Sequence, residues 1–114
     1  MAGLTATCER TCVRDRNDAF RRTFTGGRVM VTAGVAALPD RTRIAVLAAV
    51  RAFDRFDASN DPYHEHDFGA VAVEGVRVFW KIDAYDRELR FVSPDPADPT
   101  VTVRVLTIML ADEY

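Results

Sequence analysis

The densest cluster of chemically active side chains is the polar stretch Asp61-Pro62-Tyr63-His64-Glu65-His66-Asp67. In an extended backbone His64 and His66 project to the same side, so the two imidazoles could bind one metal ion. Alternatively, His66 could act as a general acid or base, with Glu65 or Asp67 orienting its ring. The third interpretation is structural, with the carboxylates capping turns and His66 donating to a backbone carbonyl. Short polar loops readily contain such residues, so the sequence favours the structural interpretation and predicts neither a metal nor a cofactor.

A second polar cluster lies on and after the stretch Trp80-Lys81-Ile82-Asp83. In a strand, Trp80 and Ile82 would face the core, and Lys81 and Asp83 would share the opposite face. We expect Lys81 and Asp83 to pair with charged residues of the next strand, Glu88 and Arg90.

We expect the two clusters to meet at one edge of the sheet. In the predicted hairpin Gly69 lies opposite Trp80, so the residues just before Gly69 lie near Lys81 and Asp83. The candidate binding residues gathered there are Glu65, His66, Asp67, Lys81, Asp83, Asp86 and Arg87. They form either a binding surface for a partner or a network of ion pairs and turn caps that holds the loop to the sheet.

The familiar sequence fingerprints of enzymes are missing from the chain. It contains no Gly-x-Ser-x-Gly, P-loop, dinucleotide-binding, His-Glu-x-x-His or zinc-finger spacing. Cys8 and Cys12 lie four residues apart on one face of a predicted helix, which gives too few ligands for a structural zinc site. We therefore interpret both cysteines as small apolar residues and nominate no catalytic residue.

Length and composition indicate one soluble domain over residues 1–114, with a flexible N-terminus at residues 1–5. The 114 residues are 48% hydrophobic and 28% charged, which excludes a disordered or fibrous chain. The net charge is −2 and the pI about 5.6, so no overall basic field argues for a nucleic-acid partner. No apolar run has the length of a membrane span and no signal peptide is evident, so we expect a cytoplasmic location and no membrane partner.

The first half of the chain predicts two helices separated by a short strand. Residues 5–24 have helical periodicity, and Gly26-Gly27 ends this helix. Residues 28–32 alternate and are rich in β-formers. A second helix begins at Pro39, and one half of its surface is apolar, with Val46, Leu47, Val50, Phe53 and Phe56.

The second half predicts an antiparallel meander of three strands. Residues 71–73 and 76–83 flank the two-residue turn Glu74-Gly75, and a turn at residues 84–87 leads into residues 88–92. The turn lengths give four cross-strand pairs, which are Val73 with Val76, Val71 with Val78, Ile82 with Leu89, and Trp80 with Phe91. All eight side chains would lie on one face, which must be the core face.

Residues 100–111 fit two patterns. Val101, Val103 and Val105 alternate as in a strand, but Asp98-Pro99 is a good helix start and the following residues suit a buried helix. We predict a helix. The resulting order, α-β-α-β-β-β-α, describes a two-layer α+β domain in which an antiparallel β-meander is packed by about three helices.

Four stretches of this sequence resemble a family of short bacterial proteins classed as a domain of unknown function. The resemblance covers residues 15–114, and its motifs are Asn17-Asp18-Ala19-Phe20-Arg21-Arg22, residues 60–69, Phe79-Trp80-Lys81-Ile82-Asp83 and residues 104–114. It implies a glycine at the position of His64, so a site with two histidines would not be a property of the family. The family is similar to those carried on plasmids and integrated elements beside antirestriction-type genes.

Three functions remain open at this point. The first is a non-enzymatic binding or accessory protein with a protein partner, in the form of a mobile-element factor that acts on host defence proteins. The second is a RelE-like ribonuclease toxin, because residues 75–83 resemble the central sheet of those toxins, although the basic surface that RNA requires is missing. The third is a metal- or His-dependent enzyme built on residues 61–67. The sequence favours the first.

Overall fold

A computed structural model describes the backbone of residues 2–114 and the side chains from Cys12 to Tyr114. Within this range the fold is α+β, as predicted, with a four-stranded sheet and three α-helices. The elements are α1 (Ala2–Thr23), β1 (Arg28–Val31), α2 (Ala33–Ala36), α3 (Asp40–Ala52), β2 (Phe68–Val73), β3 (Val76–Tyr85), β4 (Val103–Leu110) and a 3-10 helix (Ala111–Glu113).

The sheet is mixed and has the strand order β1-β4-β3-β2. Strands β2, β3 and β4 form an antiparallel meander, and β1 pairs with β4 in parallel. The predicted hairpin register is confirmed, because Val73 pairs with Val76 and Gly69 with Trp80. The two-residue turn and the period-2 pattern were sufficient to fix this register.

The core lies between the helices and one face of the sheet, and Trp80 is its largest member. Trp80 is fully buried, together with apolar side chains from all three helices and from β4. The ring of Phe53 meets it edge-on at a centroid distance of 5.5 Å. Gly69 lies directly beneath the indole, where a Cβ would come within 2.6 Å of Trp80 Nε1, so only glycine fits opposite this tryptophan.

The predicted third strand at residues 88–92 is wrong. These residues form a turn in which the Asp86 carboxylate accepts hydrogen bonds from the backbone N–H groups of Glu88 and Arg90. Leu89 has a φ of +60°, which is incompatible with a strand. The place beside β3 belongs to β4, which pairs along eight residues and puts Ile108 opposite Trp80. Phe91, predicted in the core, is 72% exposed.

The predicted helix at residues 100–111 is also wrong, because most of this segment is β4. Its two faces are both buried in part, with Leu106 and Ile108 towards the helices and Val105 and Met109 on the other side. A strand with two apolar faces produces a continuous hydrophobic run, which the sequence pattern cannot distinguish from a buried helix. The predicted helix overlaps the observed 3-10 helix, Ala111–Glu113, only at Ala111.

The predictions for the first half agree closely with α1, β1 and the start of α3. Helix α3 ends at Ala52, however, and Phe53 is extended with a ψ of 132°. Phe53 and Phe56 therefore reach the core from the segment after the helix. The short helix α2 was not predicted.

Some predictions concern the N-terminal region. Met1 and the side chain of Cys8 lie outside the described residues. The single domain and the flexible N-terminus at residues 1–5 remain predictions. No helix within residues 2–114 is both long and apolar enough to cross a membrane.

Two aromatic substitutions test this assignment of the core. Trp80→Ala should lower the free energy of unfolding by about 3–5 kcal/mol, because it leaves a large cavity at the centre of the sheet. Phe91→Ala should change it by about 0.5 kcal/mol or less, since this ring is exposed. Urea denaturation of both variants measures the difference. Equal losses for the two variants would contradict the observed strand order.

Candidate functional site

The imidazole of His66 is held between two carboxylates. Its Nδ1 lies 2.9 and 3.0 Å from the two carboxylate oxygens of Asp18 on α1, and its Nε2 lies 3.4 Å from Asp61 Oδ2. The ring stacks on Phe56 with a centroid distance of 3.7 Å and an interplanar angle of 3°. Nδ1 therefore donates to the Asp18 carboxylate, whereas Nε2 lies farther from Asp61 than a typical hydrogen bond.

Arg21 continues this arrangement into the core. The guanidinium is fully buried, donates to Asp18 Oδ1 at 3.0 Å and to the Phe53 carbonyl at 2.9 Å, and lies 5.0 Å from the ring of Trp80. Burial lowers the pKa of Arg21, and Asp18 opposes this shift. We call Arg21, Asp18, His66 and Asp61 the buried charged network.

The loop before β2 owes its shape to Asp61. The backbone N–H groups of Glu65 and His66 both donate to Asp61 Oδ1, at 3.0 and 3.1 Å. His64 and His66 have φ values of +56° and +54°. The backbone is therefore not extended here, and the geometry that would direct both imidazoles to one metal ion is not formed. Among the described residues no group of three or more His, Cys, Asp or Glu side chains could hold a metal.

Three of the seven candidate binding residues surround one cavity. Glu65, Asp67 and Asp83 line a space of about 210 Å³ beside Asn17 and Tyr85, at the end of the sheet where β2 begins. The hairpin places Asp67 there, because the N–H of Ile82 donates to its carbonyl at 2.8 Å. Burial raises the pKa of the Asp67 carboxyl, and the charges of Asp61 and Asp83 raise it further. We call this space the acidic cavity.

The other four candidate residues do not line this cavity. His66 belongs to the buried charged network, and Asp86 caps its own turn. Lys81 pairs with Asp83 at 3.2 Å. The predicted cross-strand pairs of Lys81 and Asp83 with Glu88 and Arg90 are therefore wrong, and Glu88 and Arg90 face each other at 3.8 Å.

Arg87 is exposed on the turn after β3. The binding role predicted for the seven residues stays a prediction.

Sequence reasoning missed a groove along the outer edge of β2. A space of about 430 Å³ lies between this strand and the end of α3. Its lining residues are Ala49, Ala52, Phe53, Asp54 and Arg55 on one side and Ala70, Val71 and Ala72 of the strand on the other. Within the described residues β2 pairs on one side only, with β3. The edge position depends on the whole strand order, so only the absence of charge in Phe68-Gly69-Ala70-Val71-Ala72-Val73 could have indicated it.

The fold defines a two-layer α+β protein with a mixed four-stranded sheet and an acidic cavity at the end of the sheet where β2 begins. The comparison with family models identifies residues 31–113 as "Protein of unknown function (DUF3768)", and this match spans well over half of the chain. The chain belongs to that family, which is consistent with the resemblance seen in its motifs. No curated protein matches the sequence. No solved structure matches it either.

The raised pKa of Asp67 makes the free energy of unfolding fall as the pH rises. Its pKa in the folded protein lies above the ordinary value of 3.8, so the folded state binds more protons than the unfolded state between these two values. The stability contributed by this proton is complete below about pH 3.8 and is lost as the pH rises through the folded pKa. Asp67→Asn removes this loss of stability at higher pH, because the amide stays neutral.

The free energy of unfolding of D67N, relative to the unmodified protein, should therefore rise between about pH 3 and about pH 7. Urea denaturation at stepped pH measures this difference. A difference that stays constant over the range would mean that Asp67 titrates normally in the folded protein.

Proposed function

We propose that this protein is a non-enzymatic binding protein that captures an extended segment of a partner protein on the outer edge of β2. The supporting observation is that β2 is a six-residue apolar strand whose outer edge pairs with no other described strand and has a groove beside it. Extended peptides commonly bind by adding a strand to such an edge, where the backbone supplies affinity and alternate side chains supply specificity.

The hydrogen-bonding direction of β2 follows from its register. Ile82 N–H donates to the Asp67 carbonyl, so Asp67, Gly69 and Val71 bond to β3. The alternate residues Ala70 and Ala72 then direct their N–H and C=O groups away from the sheet. These groups are available to an added strand.

Edges of this kind are normally protected. Charged side chains, prolines, bulges or short length usually prevent a sheet edge from pairing with another chain. The opposite edge strand, β1, has only four residues and begins with Arg28. Strand β2 has no charge and no proline, and it pairs regularly along its whole length. Its open edge is therefore costly unless a partner uses it.

Charge favours a segment of another protein over a second copy of this chain. An antiparallel pair of β2 strands centred on Ala70 would bring Asp67 of each copy close to Glu74 of the other, so acid would meet acid at both ends. A fitting segment has apolar side chains at alternate positions, which enter the groove beside Val71, and basic residues at its ends.

The family resemblance adds the expectation that the partner is a host defence protein. The cytoplasmic location expected from the sequence stays a prediction. The ribonuclease and His-dependent enzyme hypotheses stay predictions, as does the absence of a nucleic-acid partner.

Peptides selected from a random dodecapeptide library on the immobilised protein provide the probe for strand addition. The best synthetic peptide should lose about tenfold or more in affinity for Ala70→Pro, measured by fluorescence anisotropy, because proline removes one outward N–H and crowds the edge. Ala70→Ser is the matched control, since it keeps the N–H, and its affinity should be unchanged. The Ala70 amide donates to no described residue, so A70P should remain folded in a thermal melt.

Hydrogen exchange locates the peptide. Binding should slow exchange at the amides of Ala70 and Ala72. Equal affinity of A70P and A70S, or protection confined to another part of the chain, would overturn the proposed function.

A further inference from the structure

A second buried arginine lacks the carboxylate that Arg21 has. Arg104 on β4 is 4% exposed, and its guanidinium donates to Asn17 Oδ1 at 2.8 Å and to the Pro96 carbonyl. Both acceptors are neutral, and no carboxylate of the described residues forms an ion pair with Arg104. Arginine is almost never buried this deeply without a counter-charge, because the desolvation of its cation is then uncompensated.

A second guanidinium increases the positive charge at this place. Arg16 on α1 donates through Nε to the Ala97 carbonyl at 2.6 Å, again a neutral acceptor. Arg16 and Arg104 both line a cavity of about 180 Å³, together with Phe20, Thr25 and Gly26. Burial lowers the pKa of Arg104, and the charge of Arg16 lowers it further.

Two neighbouring features oppose an anion here but are weaker than this charge. The charge of Arg16 lowers the pKa of Asp98, so the two side chains are near each other. The Asp98 carboxylate, however, accepts hydrogen bonds from the hydroxyl and the N–H of Thr100 at 2.7 and 2.9 Å. The C-terminal end of α1 presents the negative end of a helix dipole. That partial charge is smaller than the charge of two guanidinium groups.

We infer that the cavity between Arg16 and Arg104 binds a phosphate dianion, either as free phosphate or as a phosphate monoester. Two cations match a dianion better than the single charge of a carboxylate, and a guanidinium presents several N–H donors to a tetrahedral oxyanion. The site is separate from the β2 edge and does not depend on the proposed function.

Titration of the full chain with potassium phosphate at constant ionic strength tests this inference. We expect the thermal midpoint to rise with the logarithm of the phosphate concentration above the dissociation constant, and to respond less to acetate and not to chloride. Phosphoserine in a parallel titration distinguishes the two sources, because tighter binding than inorganic phosphate indicates a monoester ligand.

Variants assign the effect to the two arginines. Arg16→Ala should weaken phosphate binding by about tenfold or more in calorimetry, because it removes a charged hydrogen-bond donor. Arg104→Met keeps much of the volume and should abolish the response. Arg41→Ala, at an exposed arginine of α3, is the control and should bind like the unmodified protein.

If R104M fails to fold, the phosphate affinity of R16A alone tests the inference. Equal midpoints in phosphate and chloride would overturn the inference, as would an R16A protein that binds phosphate normally.

Discussion

The central contact of the fold is made by the carboxylate of Asp18, which is shared by Arg21 and His66. It accepts hydrogen bonds from Arg21 on its own helix and from His66, which lies 48 residues further along the chain. Arg21 is fully buried against Trp80, so the absence of a counter-charge would leave an uncompensated cation in the core. The contact of His66 with the same carboxylate joins the loop before β2 to α1. This contact lies two residues before the start of β2, and the turn Glu74-Gly75 then sets the register of the hairpin.

The same constraint places the surfaces that remain open for function. His66 lies between Asp18 and Asp61, and the next residue, Asp67, directly precedes β2 and lines the acidic cavity. Strand β2 then lies at the end of the sheet order with its outer edge facing the groove beside α3. The structural interpretation of the 61–67 loop and a binding role for its neighbourhood are thus compatible. The loop supplies the rigidity, and the adjoining strand supplies the contact surface.

Local patterns predicted the parts of this fold that local interactions determine. The turn Glu74-Gly75 gave the register of Val71 and Gly69, and the start of α3 followed from Pro39. Sequence patterns failed to predict the fold where two segments compete to pair with the same strand. Residues 88–92 and β4 both look suitable beside β3, and only the longer pairing and two apolar faces of β4 decide the outcome. The site was predicted only in part, because sequence patterns show neighbouring residues and not contacts between distant ones. Asp61 and His66 are close in sequence, so the pattern indicated them as candidates. The contact of His66 with Asp18, and the burial of Arg104 without a carboxylate partner among the described residues, depend on the whole fold.

A double-mutant cycle between Asp18 and His66 tests the central claim, that a charged contact between α1 and the loop before β2 maintains the fold. The four proteins are the unmodified chain, Asp18→Asn, His66→Ala and the double variant, compared by their free energies of unfolding in urea. The account predicts that the two effects are coupled by at least about 1 kcal/mol, because each side chain loses its main partner when the other is removed. Additive effects, with a coupling below about 0.3 kcal/mol, would contradict it.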